Sequence, residues 1–327
     1  MLNEQCVLVI GGAGYIGSHM VAHLKSRQIA VVVLDDLSSG HRDALAPDVP
    51  FYQGDLADHH QLNAILAKHN IGAVMHFAAF IEVAESVASP AKYYQNNVVK
   101  TTQLLDWMRD KSIKYFIFSS TAAVYGEPQS ALIDETHPAL PINPYGRSKL
   151  MVEQICYDYA NAYDFHYIAL RYFNASGAHP DGHLAERHDP ETHLIPILLQ
   201  AAMGLRSQFT IFGDDYPTED GTCVRDFIHV MDLCSAHYKA LHYLLQGGES
   251  QAFNVGTSEG YSVKQVVEQA KKVIEQEFKV EVAPRRAGDP SRLVADATKL
   301  KEICDWRPEF SDINTIIRDA YGSLTRL

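Results

Sequence analysis

The chain has no apolar run approaching the roughly 20 residues that a membrane-spanning helix needs. It also lacks an N-terminal basic-plus-apolar leader, because its first apolar run, Cys6–Ile10, is only as long as a strand. Cysteine is scarce: Cys6, Cys156, Cys223, Cys234 and Cys304 are odd in number and form no C-x-x-C pair, so they read as reduced thiols of a cytoplasmic protein. Basic charge is short as well. Twenty-eight Lys and Arg against 40 Asp and Glu leave a net charge of −12 with no basic stripe, which argues against nucleic acid as a partner. Internal repeats and low-complexity tracts are missing. What remains, 327 residues at 46% hydrophobic, is enough for one large or two medium domains with a sizeable core.

Short apolar runs alternate with longer periodic stretches through the first half. Runs at Cys6–Ile10, 30–34, 51–55, 73–77, 115–119 and 167–170 predict strands, and stretches at 18–26 and 60–69 predict helices between them. This alternation predicts an α/β fold, a Rossmann-type doubly wound parallel sheet. Past Arg171 the chain becomes richer in His, Pro, Gly and Asp, and helical periodicity returns near 231–245 and 262–277. We divide it into a dinucleotide-binding domain, 1–175, and a smaller mixed α/β substrate domain, 176–327, with segments near 225–247 returning to the first.

The first strand runs into Gly11-Gly12-Ala13-Gly14-Tyr15-Ile16-Gly17 and then a helix. Gly11, Gly14 and Gly17 suit a tight turn, close backbone approach to a pyrophosphate, and close helix–strand packing. The helix N-terminus adds amide donors and partial positive charge. Asp35, at the end of the second strand, is placed for a ribose diol and favours NAD over NADP, whose extra phosphate a carboxylate repels.

Tyr145 and Lys149 stand four residues apart, on one face of a helix. An ammonium beside a phenol is expected to favour the phenolate, which could then take a proton from an alcohol. Thr121, just past the predicted fifth strand, lies where ligands bind in such sheets and is a candidate partner for the substrate hydroxyl and Tyr145.

These motifs, with Ser119–Gly126, Arg171–Pro180, Asp215–Asp232 and Ala283–Asp289, make the chain resemble the extended short-chain dehydrogenase/reductase superfamily, and within it the UDP-sugar 4-epimerases, over nearly its whole length. The resemblance implies interconversion of UDP-galactose and UDP-glucose through a 4-keto sugar, with hydride held on tightly bound NAD. It implies Tyr145 as catalytic base, Lys149 as its partner and nicotinamide-ribose ligand, and Thr121 as the relay hydroxyl. Tyr15, Ile16, Asp35, Asp36, Leu37, Ser39, Gly40, Asp55, Leu56, Phe77, Ala78, Ala79, Asn97 and Phe173 match positions lining NAD, beside Gly11, Gly14 and Gly17. For the substrate it implies Asn174, His193 and Leu194 near the diphosphate, Ile211 and Phe212 at the uracil, Arg225 and Arg286 as a diphosphate clamp, and Asp289 on the ribose. Ile81 stands where some relatives carry lysine. Leu293 stands where some carry tyrosine, and the smaller side chain implies room for an N-acetyl group at C2. A homodimer is also implied, through helices near 98–108 and 151–163.

The alternatives are another nucleotide-sugar epimerase, a dehydratase or a decarboxylase on the same scaffold, or a non-catalytic NAD-binding regulator. Dehydratases of this type carry Asp-Glu after the threonine. Ala122-Ala123 stand there instead, and methyl groups do no acid–base work. The tyrosine and lysine that a regulator tends to lose are both present. His179, His183, His188 and His193 cluster among acidic residues, but their spacing matches no metal motif, so no metal is expected.

Overall fold

The computed structural model describes residues 5–286 and 289–326. Seven parallel strands form the main sheet: β1 (Cys6–Ile10), β2 (Val31–Asp35), β3 (Phe51–Gln53), β4 (Ile71–His76), β5 (Tyr115–Thr121), β6 (His166–Tyr172) and β7 (Gln251–Val255). Their spatial order is β7-β6-β5-β4-β1-β2-β3. The order reverses between β1 and its neighbours β2 and β4, and such a switch point opens a crevice at the carboxyl ends of the strands. The sheet is the Rossmann-type architecture predicted from the alternating runs.

The central strands are nearly continuous apolar runs because both faces are covered. Along β1, Val7 and Val9 join one core with Met20, Leu24, Leu233 and Leu241, from the helices Tyr15–Ser26 and Val230–Leu245. Leu8 and Ile10 point the other way, into a core with Leu62, Trp107, Phe116 and Cys156. A one-residue slip of β1 would exchange the two sets, so packing specifies its register strongly.

A third core, built on Leu198, Ile211, Val266 and Ile316, holds the second half of the chain together. It joins the helices Leu194–Ala202, Val263–Ile274 and Ile313–Leu324 to a parallel pair, Phe209–Phe212 with Val280–Ala283. A small mixed sheet pairs Val224–Arg225 with Tyr261–Ser262 and Arg292–Leu293. The helix Val230–Leu245 and strand β7 leave this half and pack into the main sheet.

Among the described residues no helix is long and apolar enough to cross a membrane. All five cysteines are free and buried.

Candidate active site

The glycine loop is shaped by what it excludes. Gly11 has φ +75°, and a Cβ there would stand 2.5 Å from the Ala78 amide nitrogen. A Cβ at Gly17 would stand 2.1 Å from the Gly11 carbonyl oxygen, whereas one at Gly14 would meet nothing closer than 3.5 Å. Gly14 and Gly17 thus differ: the first keeps space open toward the crevice, and the second lets the helix sit on the loop. Asp35 is buried, and its carboxylate accepts from the amides of Ala13 (2.9 Å) and Leu37 (2.8 Å). Burial raises its pKa, with those two amides opposing.

Two cavities meet along this loop. Gly11, Asp35, Asp55, Leu56, Ala78 and Gly40 line the first, together with Lys100 and Asn96. Lys100 pairs with Asp55 at 2.5 Å. Both newly found residues lie on a π-helical turn, Tyr94–Lys100, a distortion frequent at functional sites. Hydrophobic period did not reveal that turn. Asn97 does not line a cavity: its amide is committed to both backbone groups of Phe80 (3.0 Å each) and to Ser148 Oγ (3.1 Å). Leu37 is likewise off both walls and holds φ +61° at the turn after β2.

The second cavity, about 380 Å³, carries the candidate chemistry. Strand β5 runs through Thr121, two residues beyond the predicted end, so Thr121 closes the strand rather than following it. The helix Pro144–Ala162 begins with Asn143 accepting from the Gly146 amide at 2.8 Å and proline in its first turn. That start places Tyr145 and Lys149 on one face, and both line the cavity with Ser119 and Thr121. The Thr121 hydroxyl faces the Tyr145 phenol closely enough to favour its ionised form, and it accepts from the Ala123 amide at 3.2 Å.

The electrostatics differ from the expectation of a lowered phenol. Tyr145 is raised above the ordinary tyrosine value, chiefly by burial, with the Thr121 hydrogen bond opposing and the Glu82 charge adding to the rise. Lys149 is 3% exposed, and its Nζ donates to the Ser119 carbonyl at 2.8 Å rather than to the phenol. Burial brings the lysine down to about 7, against the pull of Glu153. The physical reason is dielectric: an ammonium taken out of water has no strong partner here, and a phenolate would be worse off.

Glu153 lies one turn beyond Lys149 and was not foreseen. It accepts from Arg171 Nη2 at 2.5 Å and from Nε at 3.0 and 3.1 Å, and also from Ser120 Oγ. Arg171 continues to Tyr125 Oη at 3.0 Å, which donates to Asn254 at 2.6 Å. This buried network anchors β5 beside Thr121. The spacing Tyr145, Lys149, Glu153 along one helix face was its only signal in the sequence.

On the substrate side, Ile81, Phe173, Asn174, Leu194, Phe227 and Leu293 line the same cavity. Leu293 pairs with Arg225 in the small sheet. Arg225 is buried and ion-paired with Asp289, and the Arg286 guanidinium lies 3.9 Å from the centroid of the Phe212 ring. Ile211 is buried in the third core. None of these five lines the cavity: Arg225 adjoins it through Leu293, and Arg225 and Asp289, both expected on the ligand, are instead paired with each other. Ala287 and Gly288, within the 283–289 motif, lie outside the described residues.

The histidine-rich loop folds back on the cavity. Ligand-capable atoms of Glu186, His188, Glu191 and His193 lie within 4.8 Å of one another, as do those of His179, Asp181 and His183. Glu186 Oε1 accepts from His193 Nδ1 at 2.5 Å, and Glu191 Oε1 accepts from the Thr192 and His193 amides at 2.8 and 2.9 Å. The family resemblance pointed only to His193; cis geometry at Asp189-Pro190 and chain reversal are tertiary features of this loop.

A dinucleotide fits the first cavity and the loop. Gly14 leaves the loop open toward the cavity, the helix Tyr15–Ser26 begins directly after it, and the Asp35 carboxylate ends the second strand.

Comparison with known proteins agrees with this geometry. The sequence model of the family described as "NAD dependent epimerase/dehydratase family" matches residues 7–256. A UDP-glucose 4-epimerase of Halalkalibacterium halodurans is 49% identical over 316 residues, 97% of this chain and 94% of its own length. The crystal structure of UDP-glucose 4-epimerase from Brucella ovis in complex with NAD is 47% identical, with TM-score 0.94 over 97% of each chain. The UDP-Glc/GlcNAc 4-epimerase of Campylobacter jejuni is 46% identical, with TM-score 0.86 over 99% of this chain and 100% of its own.

Proposed function

Because this chain belongs to the NAD-dependent epimerase/dehydratase family, we propose that it is a UDP-glucose 4-epimerase. It interconverts UDP-galactose and UDP-glucose through a 4-keto sugar, with NAD as a tightly bound cofactor. One observation carries the reading: Thr121, Tyr145 and Lys149 share a cavity that is continuous with the glycine loop. Ala122-Ala123 after Thr121 leave no acid–base pair for eliminating water, which disfavours a dehydratase.

When bound, NAD accepts the C4 hydride of the sugar and later returns it. The loop from Gly11 to Gly17, Asp35, Asp55 and Lys149 hold it. Tyr145 takes the proton of the 4-hydroxyl, with Thr121 sharing that hydrogen bond, and gives it back after the keto sugar has turned. Burial keeps the phenol protonated at rest, so ionisation requires positive charge beside it, which Lys149, one turn away, supplies when it is protonated. Arg225 and Arg286 anchor the diphosphate while the sugar moves, so binding energy far from C4 retains the intermediate. Asn174, His193 and Leu194 line the path, and Ile211, Phe212 and Asp289 receive the nucleoside. The substrate domain is 176–327 apart from the segments near 225–247. Leu293 in place of a bulkier ring supports acceptance of UDP-N-acetylglucosamine.

The assembly is a cytoplasmic homodimer. Exposed Val99, Met151, Tyr157 and Tyr163 on the helices expected at the interface support the dimer, and five free buried thiols suit a reducing compartment. No metal and no nucleic acid take part.

The test is incubation of purified protein with UDP-galactose, without added NAD, and resolution of the products. UDP-glucose without net NADH is the expected result. A stoichiometric requirement for NAD would overturn the reading in favour of a dehydrogenase.

A further inference from the structure

Resting on that reading of the cavity, we propose that Glu186 is a positioning residue for substrate binding: its buried carboxylate holds the His193 imidazole as a cation that meets the substrate's diphosphate. The geometry comes first. Glu186 is 8% exposed, and its Oε1 is engaged by His193 Nδ1 at 2.5 Å and lies 3.1 Å from His188 Nδ1. With Nδ1 tied down, Nε2 is the remaining edge of the His193 ring, whose side chain is 42% exposed on the cavity wall. His193 is also the residue preceding the helix Leu194–Ala202, yet its side chain makes no capping bond, so helix formation does not consume the ring. Glu191 locks the backbone beneath it through two amide bonds.

Charge gives the reason. The groups facing His193 are Glu186, Glu191 and His188 from its own loop, and Glu82 from across the cavity, which accepts from Thr192 Oγ1 at 3.1 Å. Three carboxylates beside an anionic substrate would repel it, and a protonated imidazole offsets one of them and turns a donor toward the substrate. They also supply what keeps that proton: burial opposes it, but the Glu186 hydrogen bond and the charges of Glu186, Glu191 and Glu82 raise His193 to about 9. Glu186 itself is held below the ordinary glutamate value; burial pushes it up, and the nearby His188 and the hydrogen-bonded His193 outweigh that. The result is a fixed imidazolium at a helix N-terminus, where an anion is already favoured. Glu186 shares the cavity wall with His193, and its proposed role is exerted through the His193 ring.

The test is the KM and kcat of the NAD-loaded enzyme for UDP-galactose between pH 6 and 8. For wild type, a flat KM is expected, since His193 stays protonated throughout. In Glu186→Gln the carboxylate charge is gone, and the imidazole titrates nearer its ordinary 6.5. Its KM should match wild type within about threefold at pH 6 and exceed it roughly tenfold at pH 8, the weight of one charge-assisted hydrogen bond. Its kcat should stay within about threefold, because Tyr145 and Lys149 are untouched. His193→Gln should show a raised KM with no dependence on pH in this range, and it carries the test if Glu186→Gln fails to retain NAD. A Glu186→Gln variant with wild-type KM at pH 8 would overturn the proposal. So would loss of UDP-galactose binding by wild type on chelation with its return on adding zinc, since the same four side chains would then be holding a divalent cation. Wild type inert toward UDP-galactose at every pH would instead refute the assigned function, which keeps the two failures apart.

Discussion

Replacing Gly17 with alanine tests the glycine loop as a piece of packing rather than as a motif. Gly17 lies in the first turn of the helix Tyr15–Ser26, where intrinsic propensity favours alanine by about 0.8–1.0 kcal/mol. Sterics oppose this. The new Cβ would stand 2.1 Å from the Gly11 carbonyl oxygen and 2.8 Å from Gly12 Cα, and both are backbone atoms with no rotamer to change. Relief requires the helix and loop to separate by about 1 Å, in the range where overpacking costs about 1–3 kcal/mol. The clash therefore wins or at least cancels the propensity gain. Displaced loop amides should also weaken NAD binding. Gly14→Ala is the control: its Cβ meets nothing within 3.5 Å and its φ is −76°, so the free protein should lose at most about 1 kcal/mol, from a poorer helix cap. The assay is thermal unfolding of NAD-stripped protein followed by circular dichroism, with NAD affinity by calorimetry. Gly17→Ala should bind NAD at least tenfold more weakly and melt lower than Gly14→Ala, whose loss is limited to the poorer cap. A Gly17→Ala protein as stable as wild type with unchanged NAD affinity would refute the packing argument.

Tyr145→Phe keeps the ring and should fold normally, but turnover of UDP-galactose should fall by roughly 10²–10⁴, as expected for loss of a general base; near-normal turnover would remove Tyr145 from the chemistry. His19 and His76 are lowered to about 3 and His23 and His237 to about 4, each chiefly by burial. A histidine lowered in the folded state contributes stability that is present above about 6.5 and lost as pH falls toward the folded value. Unfolding below pH 6.5 should thus take up to four protons, about 1.4 kcal/mol per pH unit each. Denaturant titrations from pH 7 to 4.5 should show a steep loss, and a flat profile would show that these rings can charge without unfolding. Leu293→Tyr should cut turnover of UDP-N-acetylglucosamine more than tenfold and spare UDP-galactose, because the larger side chain fills the lining of the same cavity; equal effects on both sugars would exclude a role for Leu293 in selecting the C2 group.

The sequence by itself determined the sheet and the cofactor loop. Both are written in local pattern: apolar runs of strand length, glycines at Gly11, Gly14 and Gly17, and Asp35 at a strand end. It also put Tyr145 and Lys149 on one face, because helical spacing alone does that. Only the tertiary structure decided what those groups experience. Lys149 reaches the Ser119 carbonyl and loses its water, so burial moves both partners away from the charged forms that spacing suggested. Glu153 meets Arg171 and Ser120, Asn97 clips Phe80 to the catalytic helix, and Glu186 folds onto His193, each through contacts with no periodic signature. Periodicity reports which face of an element is buried. Desolvation and hydrogen-bond partners depend on what the rest of the chain brings to that face, and that is settled only when the elements pack.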